Sequence, residues 1–481
     1  MSVQAAEGLV IGGRRMQAAE GRTFEVVNPA TAAPIAAVAE GGVEDVNRAV
    51  AAALRAYEGW SALSPVTRGR RMLAFAALVE DHAEELALIE CRNVGMPISD
   101  ARGQLGMIVD VLRYYAGAVD KFFGHTVPVE RDGIALTFRE PIGVVGLITP
   151  WNFPLNIANW KMAPALAAGN TIILKPASLT PLSVLRYAEL ALEAGIPEGA
   201  LNVVPGPGGT VGNALVEHPD VAKIGFTGST AVGAEIARRA AGSIKRVTLE
   251  LGGKSACVVF ADADLEKVGR LAPYAVFENC GQDCCARSRL IVEESVKDEV
   301  VERYAATAAG LRVGMPEEPA TEIGPLVSAG QRETVEGYVR TGVDEGARIV
   351  VGGERPGGEL DHGFFYRPTV LDGVANDMTV AREEIFGPVV SVISFRDEAD
   401  AVRIANDTPY GLSGSLWTRD GARQLRVARA LRTGVLGVNS NSSVFPQTPF
   451  GGYKQSGIGK ELGMEALEHS TELKSVFIST E

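Results

Sequence analysis

The chain has 481 residues, a formal net charge of -13, 46% hydrophobic and 22% charged residues, and five cysteines. This is the mix of a globular protein of two or three domains, and its acidity would repel nucleic acid and anionic membranes alike. No apolar run approaches the roughly 18 residues that cross a bilayer. The start, "MSVQAAEGLVIGGRR", has neither the basic head nor the apolar core of a signal peptide. Few cysteines, in odd number, fit a reducing compartment, so the cytoplasm is the expected setting.

Short basic runs at 13–15 and 68–71 read as solvated surface. The segment "TVPVERDGIALTFRE" (126–140) alternates like a strand on either side of a turn at Asp132-Gly133. From about 134 to 260, short apolar strands alternate with helices. The strands are "FREPIGVVGLI", "NTIILKP", "LNVVPG", "VAKIGFTG" and "RVTLELGG". The helices are "LNIANWKMAPALAAG", closed by Gly169, "TPLSVLRYAELALEAG", "GTVGNALVEHP" and "TAVGAEIARRAA". Thr180 is the expected cap of the second helix, with Pro181 in its first turn and Gly195 at its end. This alternation predicts a parallel sheet covered on both faces, the setting for a nucleotide at the strands' carboxyl ends. A second α/β series runs from about 256 to 440, from "SACVVF" and "RLIVEE" to "GLSGSLWT" and "GVLGVN". The tail "LKSVFIST" is strand-like and can pair with 126–140 in a small separate sheet whose open edges invite another subunit.

Three of the five cysteines, Cys280, Cys284 and Cys285, crowd into "ENCGQDCC". The C-x3-C-C spacing has no nearby histidine and does not match a zinc site, so no metal is expected. A disulfide is disfavoured by the compartment, and the adjacent pair would close only with strain. A nucleophile remains, or else small buried hydrophobes. The stretch follows the expected helix "LEKVGRLAPYAVFENC" and precedes a strand, in a polar loop of the kind that carries function. A nucleophile needs an oxyanion donor and a base. Asn152 of "TPWNFP" and Glu250 of "LELGGK" lie at strand ends and are candidates, though each alone reads equally well as structural.

Together, "TPWNFP", "KPAS", "FTGSTAVG", "LELGGK", "GQDC", "EEIFGPV" and "PFGGYKQSGIGKE" resemble the aldehyde dehydrogenase superfamily in order and spacing over essentially the whole chain. The resemblance implies an α/β fold with two Rossmann-like domains and a small β oligomerisation element. The cofactor-binding domain would span 1–119 and 142–252, the catalytic domain 253–455, and the β element 120–141 and 468–481. It implies NAD- or NADP-dependent oxidation of an aldehyde to a carboxylic acid without coenzyme A. Cys284 would be the nucleophile, Asn152 and the Cys284 N–H the oxyanion donors, and Glu250 the base that hydrolyses the thioester. By position, Thr149, Pro150, Trp151, Lys175, Ser178, Gly228, Ser229, Leu251, Gln331, Glu384 and Phe386 would hold the cofactor. The "GSTAVG" turn is the superfamily's own variant of a dinucleotide loop. Ser178 stands where many NAD-preferring relatives carry Glu. A hydroxyl there can donate to a 2′-phosphate that a carboxylate would repel, so NADP is expected to be accepted.

By position again, Phe153, Asn156, Trp160, Glu278, Val444 and Phe450 would line the substrate tunnel. Relatives acting on carboxylate-tailed aldehydes often carry arginine near Trp160 and Glu278; this chain has none there. Glu278 either points to solvent or faces the tunnel; in the second case it disfavours an anionic tail, so a neutral, hydroxylated or amine-bearing aldehyde is expected. The alternative is a cysteine esterase or acyl hydrolase on the same scaffold; a non-catalytic role is opposed by intact Cys284, Asn152 and Glu250. The superfamily pattern and the two edge strands suggest a homodimer or homotetramer.

Overall fold

The computed structural model describes residues 4–481. The apolar strands between 144 and 250 form the parallel centre of an eight-stranded sheet. Its order is Gly457–Ile458, Arg246–Glu250, Lys223–Thr227, Val144–Ile148, Thr171–Lys175, Leu201–Val203, Leu9–Ile11 and Arg14–Met16. The three outer strands pair antiparallel. Four of the five central strands are buried along their whole length, as strands with helices on both faces must be. The chain moves outward from Val144–Ile148 through the next two strands, then returns to place Lys223–Thr227 on its other side. The order therefore reverses between Val144–Ile148 and Lys223–Thr227. A crevice opens outside the carboxyl ends of such a pair.

A seven-stranded sheet follows in the order Arg348–Val351, Thr369–Asp372, Val389–Phe395, Arg289–Glu293, Ala256–Val259, Ser413–Trp417 and Val435–Val438. It is parallel except for Arg348–Val351. The eight-stranded sheet packs an apolar cluster on each face, and the seven-stranded sheet packs a third. The two strands expected to meet across the chain do so: Gly133–Pro141 pairs antiparallel with Thr471–Ser479 over nine residue pairs, with Thr126–Val127 on its other edge. Among the described residues, no helix is long and apolar enough to cross a membrane.

Several local expectations change. "FREPIGVVGLI" is not one strand. It breaks after Pro141, Gly143 takes a positive φ of 124°, and the halves enter different sheets. Thr180 does not cap the helix Leu182–Glu193, because its hydroxyl donates to the Trp151 carbonyl (3.0 Å). Asn93 supplies the acceptor for Leu182 N–H instead, from far along the chain. The 208–217 helix begins as a wide π-turn, Gly208–Gly212, before Asn213–Glu217. The helix before the cysteines is broken at Pro273 into Leu265–Leu271 and Tyr274–Phe277, as a residue without an N–H dictates. A three-stranded sheet of Gln4–Glu7, Ala33–Ala39 and Thr23–Asn28 was not expected at all.

Candidate active site

The nucleophile loop is held by side-chain amides rather than by regular structure. After Phe277, Asn279 and Cys280 both adopt positive φ (49° and 56°), a strained arrangement for residues bearing a Cβ. Asn279 Nδ2 donates to the Asn152 carbonyl, and Asn152 Nδ2 donates to the Gln282 carbonyl, each at 2.9 Å. Gln282 accepts in turn from the Val327 N–H (2.8 Å). Asn152, just beyond the strand Val144–Ile148, is thereby clamped two residues from Cys284. One of its two amide hydrogens holds the loop, and the other is left for a ligand oxygen. The Cys284 N–H makes no hydrogen bond among the described residues.

Of the five cysteines, only Cys284 is open to solvent. Its thiol is reachable yet closely surrounded, as at the foot of a cleft. A hydrogen bond with Cys285, burial, and the negative charges of Asp283 and Glu384 push it well above the ordinary thiol range. Glu250 ends the strand Arg246–Glu250 and is 3% exposed, with neither carboxylate oxygen hydrogen-bonded. Burial, reinforced by Glu461, pushes its carboxyl well above the usual range, against the pull of Lys161 and Lys460. A methyl on Gly253 would lie 2.5 Å from the Cys284 carbonyl, so the loop leaving Glu250's strand rests directly on the nucleophile.

The expected cofactor residues collect around the switch-point crevice. Thr149, Pro150 and Trp151 leave one strand, and Gly228 and Ser229 leave the other. Ser229 caps the helix Thr230–Ala241 by accepting from Val232 N–H, so that helix's N-terminal N–H groups face the crevice. The helix packs so closely that a Cβ on Gly233 would sit 2.3 Å from Leu251 Cδ2. Lys175 is buried without a carboxylate partner, its ammonium lowered to about 8 by burial, and it donates to the Pro176 carbonyl. Ser178 donates to the Gly206 carbonyl (3.1 Å). Glu384 accepts from Gly253 N–H (3.1 Å), and burial pushes its carboxyl up to about 7. Phe386, at positive φ (55°), stacks edge-on against Trp151 with ring centres 5.2 Å apart, while Gln331 Nε2 donates to the Phe386 carbonyl at 2.8 Å. An orphaned Thr149 hydroxyl, an unpaired lysine and a capped helix end suit a phosphate- and ribose-bearing ligand.

Of the expected tunnel residues, Phe153, Trp160, Val444 and Phe450 pack into one apolar cluster with Cys284 and Cys285. Trp160 and Phe450 stack edge-on at 5.1 Å. Asn156 Oδ1 and Trp160 Nε1 are buried without partners. Glu278 stands outside this cluster. Its side chain is exposed but recessed, and burial together with Asp100 and Asp283 pushes it up to about 7. Sequence reasoning missed Gln282, Asp283, Asp100, and the buried ion pair Lys161–Glu461 beneath Glu250. A lysine inside the otherwise apolar "NIANWKMAPALAAG" was the one available signal for that pair.

The chain matches the aldehyde dehydrogenase family model over residues 16–476. It is 46% identical to an aldehyde dehydrogenase of Aspergillus niger, covering 98% of this chain and 94% of that one. It is 44% identical to a betaine aldehyde dehydrogenase of Bacillus subtilis, covering 99% and 98%. It superposes on the NAD+ complex of an aldehyde dehydrogenase from Bacillus cereus with a TM-score of 0.97 at 43% identity, covering 100% and 98%. The chain belongs to the aldehyde dehydrogenase family. It is an enzyme that oxidises aldehydes with NAD or NADP as cofactor.

Proposed function

We propose that Cys284 is the nucleophile, Asn152 and the Cys284 N–H its oxyanion donors, and Glu250 its hydrolytic base. The sulfur attacks the aldehyde carbon to give a thiohemiacetal. The free Asn152 N–H and the free Cys284 N–H hold the oxygen as charge develops on it. A bound nicotinamide would supply the redox chemistry the protein lacks, taking the hydride of the thiohemiacetal carbon and so leaving the acyl group on Cys284 as a thioester. Lys175 and Ser178 would hold the adenosine ribose, Gly228 and Ser229 the pyrophosphate, Glu384 and Gln331 the other ribose. Thr149, Pro150, Trp151, Leu251 and Phe386 would wall the ring and its approach. Glu250 then takes a proton from the water that attacks the Cys284 thioester, and the carboxylic acid leaves. The observation that carries this reading is a solvent-open cysteine whose backbone carbonyl rests against the loop that leaves a buried, unpartnered carboxylate.

In this reading residues 1–119 and 142–252 carry the cofactor, 253–455 the nucleophile, and 120–141 with 468–481 the contact with a second copy. Gly457–Ile458 lies beyond the second of these segments yet joins the first sheet. The recessed Glu278, flanked by Asp100 and Asp283, favours a cationic or neutral aldehyde over one with a carboxylate tail. The likeness to a betaine aldehyde dehydrogenase supports the same direction.

The test is the near-ultraviolet absorbance of reduced nicotinamide with an aldehyde panel and either cofactor. Turnover is expected with wild type and not with Cys284→Ala. Aminoaldehydes should outpace succinic semialdehyde, and NADP should be used within about a hundredfold of NAD, a difference of under roughly 2.7 kcal/mol. Ester hydrolysis with no nicotinamide reduction on any aldehyde would select the acyl-hydrolase alternative.

A further inference from the structure

We propose that Asp283, Cys284 and Cys285 form a capture site for a thiophilic divalent cation, of the zinc or cadmium class, whose binding silences the nucleophile. One carboxylate oxygen and two sulfurs from three consecutive residues lie within 4.8 Å of one another. Two sulfurs on one tetrahedral zinc ion stand roughly 3.8 Å apart, given bonds of about 2.3 Å, so small side-chain rotations close the set. Two soft sulfurs with one carboxylate select zinc-like ions over magnesium or calcium. The site is not the spacing weighed from the sequence, since Cys280 lies outside the group and Asp283 takes its place.

The surrounding charge has the right sign. Asp283 and Glu384 both act on Cys284, and Glu278 lies within electrostatic reach of Asp283. The facing cation is Arg287, which acts on both Asp283 and Glu278 while its guanidinium donates to the carbonyls of Cys285 and Asn441 and to Ser443 Oγ. Access is asymmetric: Cys284 is partly open and Cys285 is buried behind it. An ion entering the cleft meets Cys284 first, gains Cys285, and keeps a fourth position for water. Two S–H bonds break, two sulfur–metal bonds form, both protons pass to solvent, and no electron moves. Only the effect on activity rests on reading Cys284 as the nucleophile; the binding does not.

Cadmium added to the intact enzyme is the probe. One ion per subunit is expected, seen as sulfur-to-cadmium charge-transfer absorption in the ultraviolet, with activity lost in step and restored by EDTA. Cys285→Ser is expected to weaken cadmium binding roughly tenfold or more. Asp283→Asn is expected to weaken it as well, and it carries the test if Cys285→Ser does not fold. No band in wild type, or a band of undiminished affinity in the variants, overturns the site. A normal band in a protein that oxidises no aldehyde would leave the site standing and remove the functional reading instead.

Discussion

The hydrogen bond with Cys285 and burial raise Cys284, burial raises Glu250, and the consequence has a definite sign. The attacking form of the one is the thiolate, and the working form of the other is the carboxylate. Each is scarce below its raised pKa and accumulates as the pH climbs. Steady-state turnover is therefore expected to rise from neutral into alkaline solution, as a pH–rate profile would register; a profile falling over that range would mean that neither group limits the rate. Glu250→Gln is expected to lower kcat by about 10²–10⁴, the usual worth of a general base. The first turnover should survive in that variant as a burst of reduced cofactor, because hydrolysis rather than attack is impaired. Absence of a burst in rapid mixing would place Glu250 earlier in the reaction.

Elements rather than residues explain why the crevice forms. The helix Thr230–Ala241 reaches the switch point only because Gly233 has no side chain to meet Leu251. Gly233→Val is expected to push the helix off its strand, at roughly 1–3 kcal/mol in stability. Cofactor affinity should fall with it, more than aldehyde affinity, in calorimetric titration against wild type; an unchanged affinity would remove this helix end from the cofactor site. Strands such as Thr171–Lys175 and Lys223–Thr227 were legible because they are short, apolar at their centres and bounded by turn residues. So were the positions of Asn152 and Glu250, which follow from where such strands end. The clamp on Asn152 was not, because its partners Asn279 and Gln282 are about 130 residues distant and lie in a turn that no periodicity encodes. Nor was the Lys161–Glu461 pair, 300 residues apart, which only the folded topology brings together. Thr180 reads as a cap from its neighbours alone, until Trp151 offers its hydroxyl a better-placed carbonyl.

At the scale of the molecule, the small sheet of Gly133–Pro141 and Thr471–Ser479 presents apolar side chains to solvent. Ile134 and Ile478 face each other in register and are 47% and 49% exposed, with Phe138 on the same face. A second copy covering this face is the expected state. Ile134→Asp with Ile478→Asp should reduce the mass measured by light scattering to that of a monomer while leaving the circular dichroism intact; an unchanged mass would assign assembly elsewhere. The edge of the large sheet has a different completion. Leu249 pairs with Ile458 and Glu250 with Gly457, so the strand that bears the base is flanked by a segment more than two hundred positions later. Until Gly457 and Ile458 have left the ribosome, that strand stands with one side unbonded, an invitation to aberrant pairing that a holding chaperone would have to mask. The strand that bears Glu250 thus gains its second neighbour only after some two hundred further positions have been made, and a shortened product ending before Gly457 would lack that neighbour.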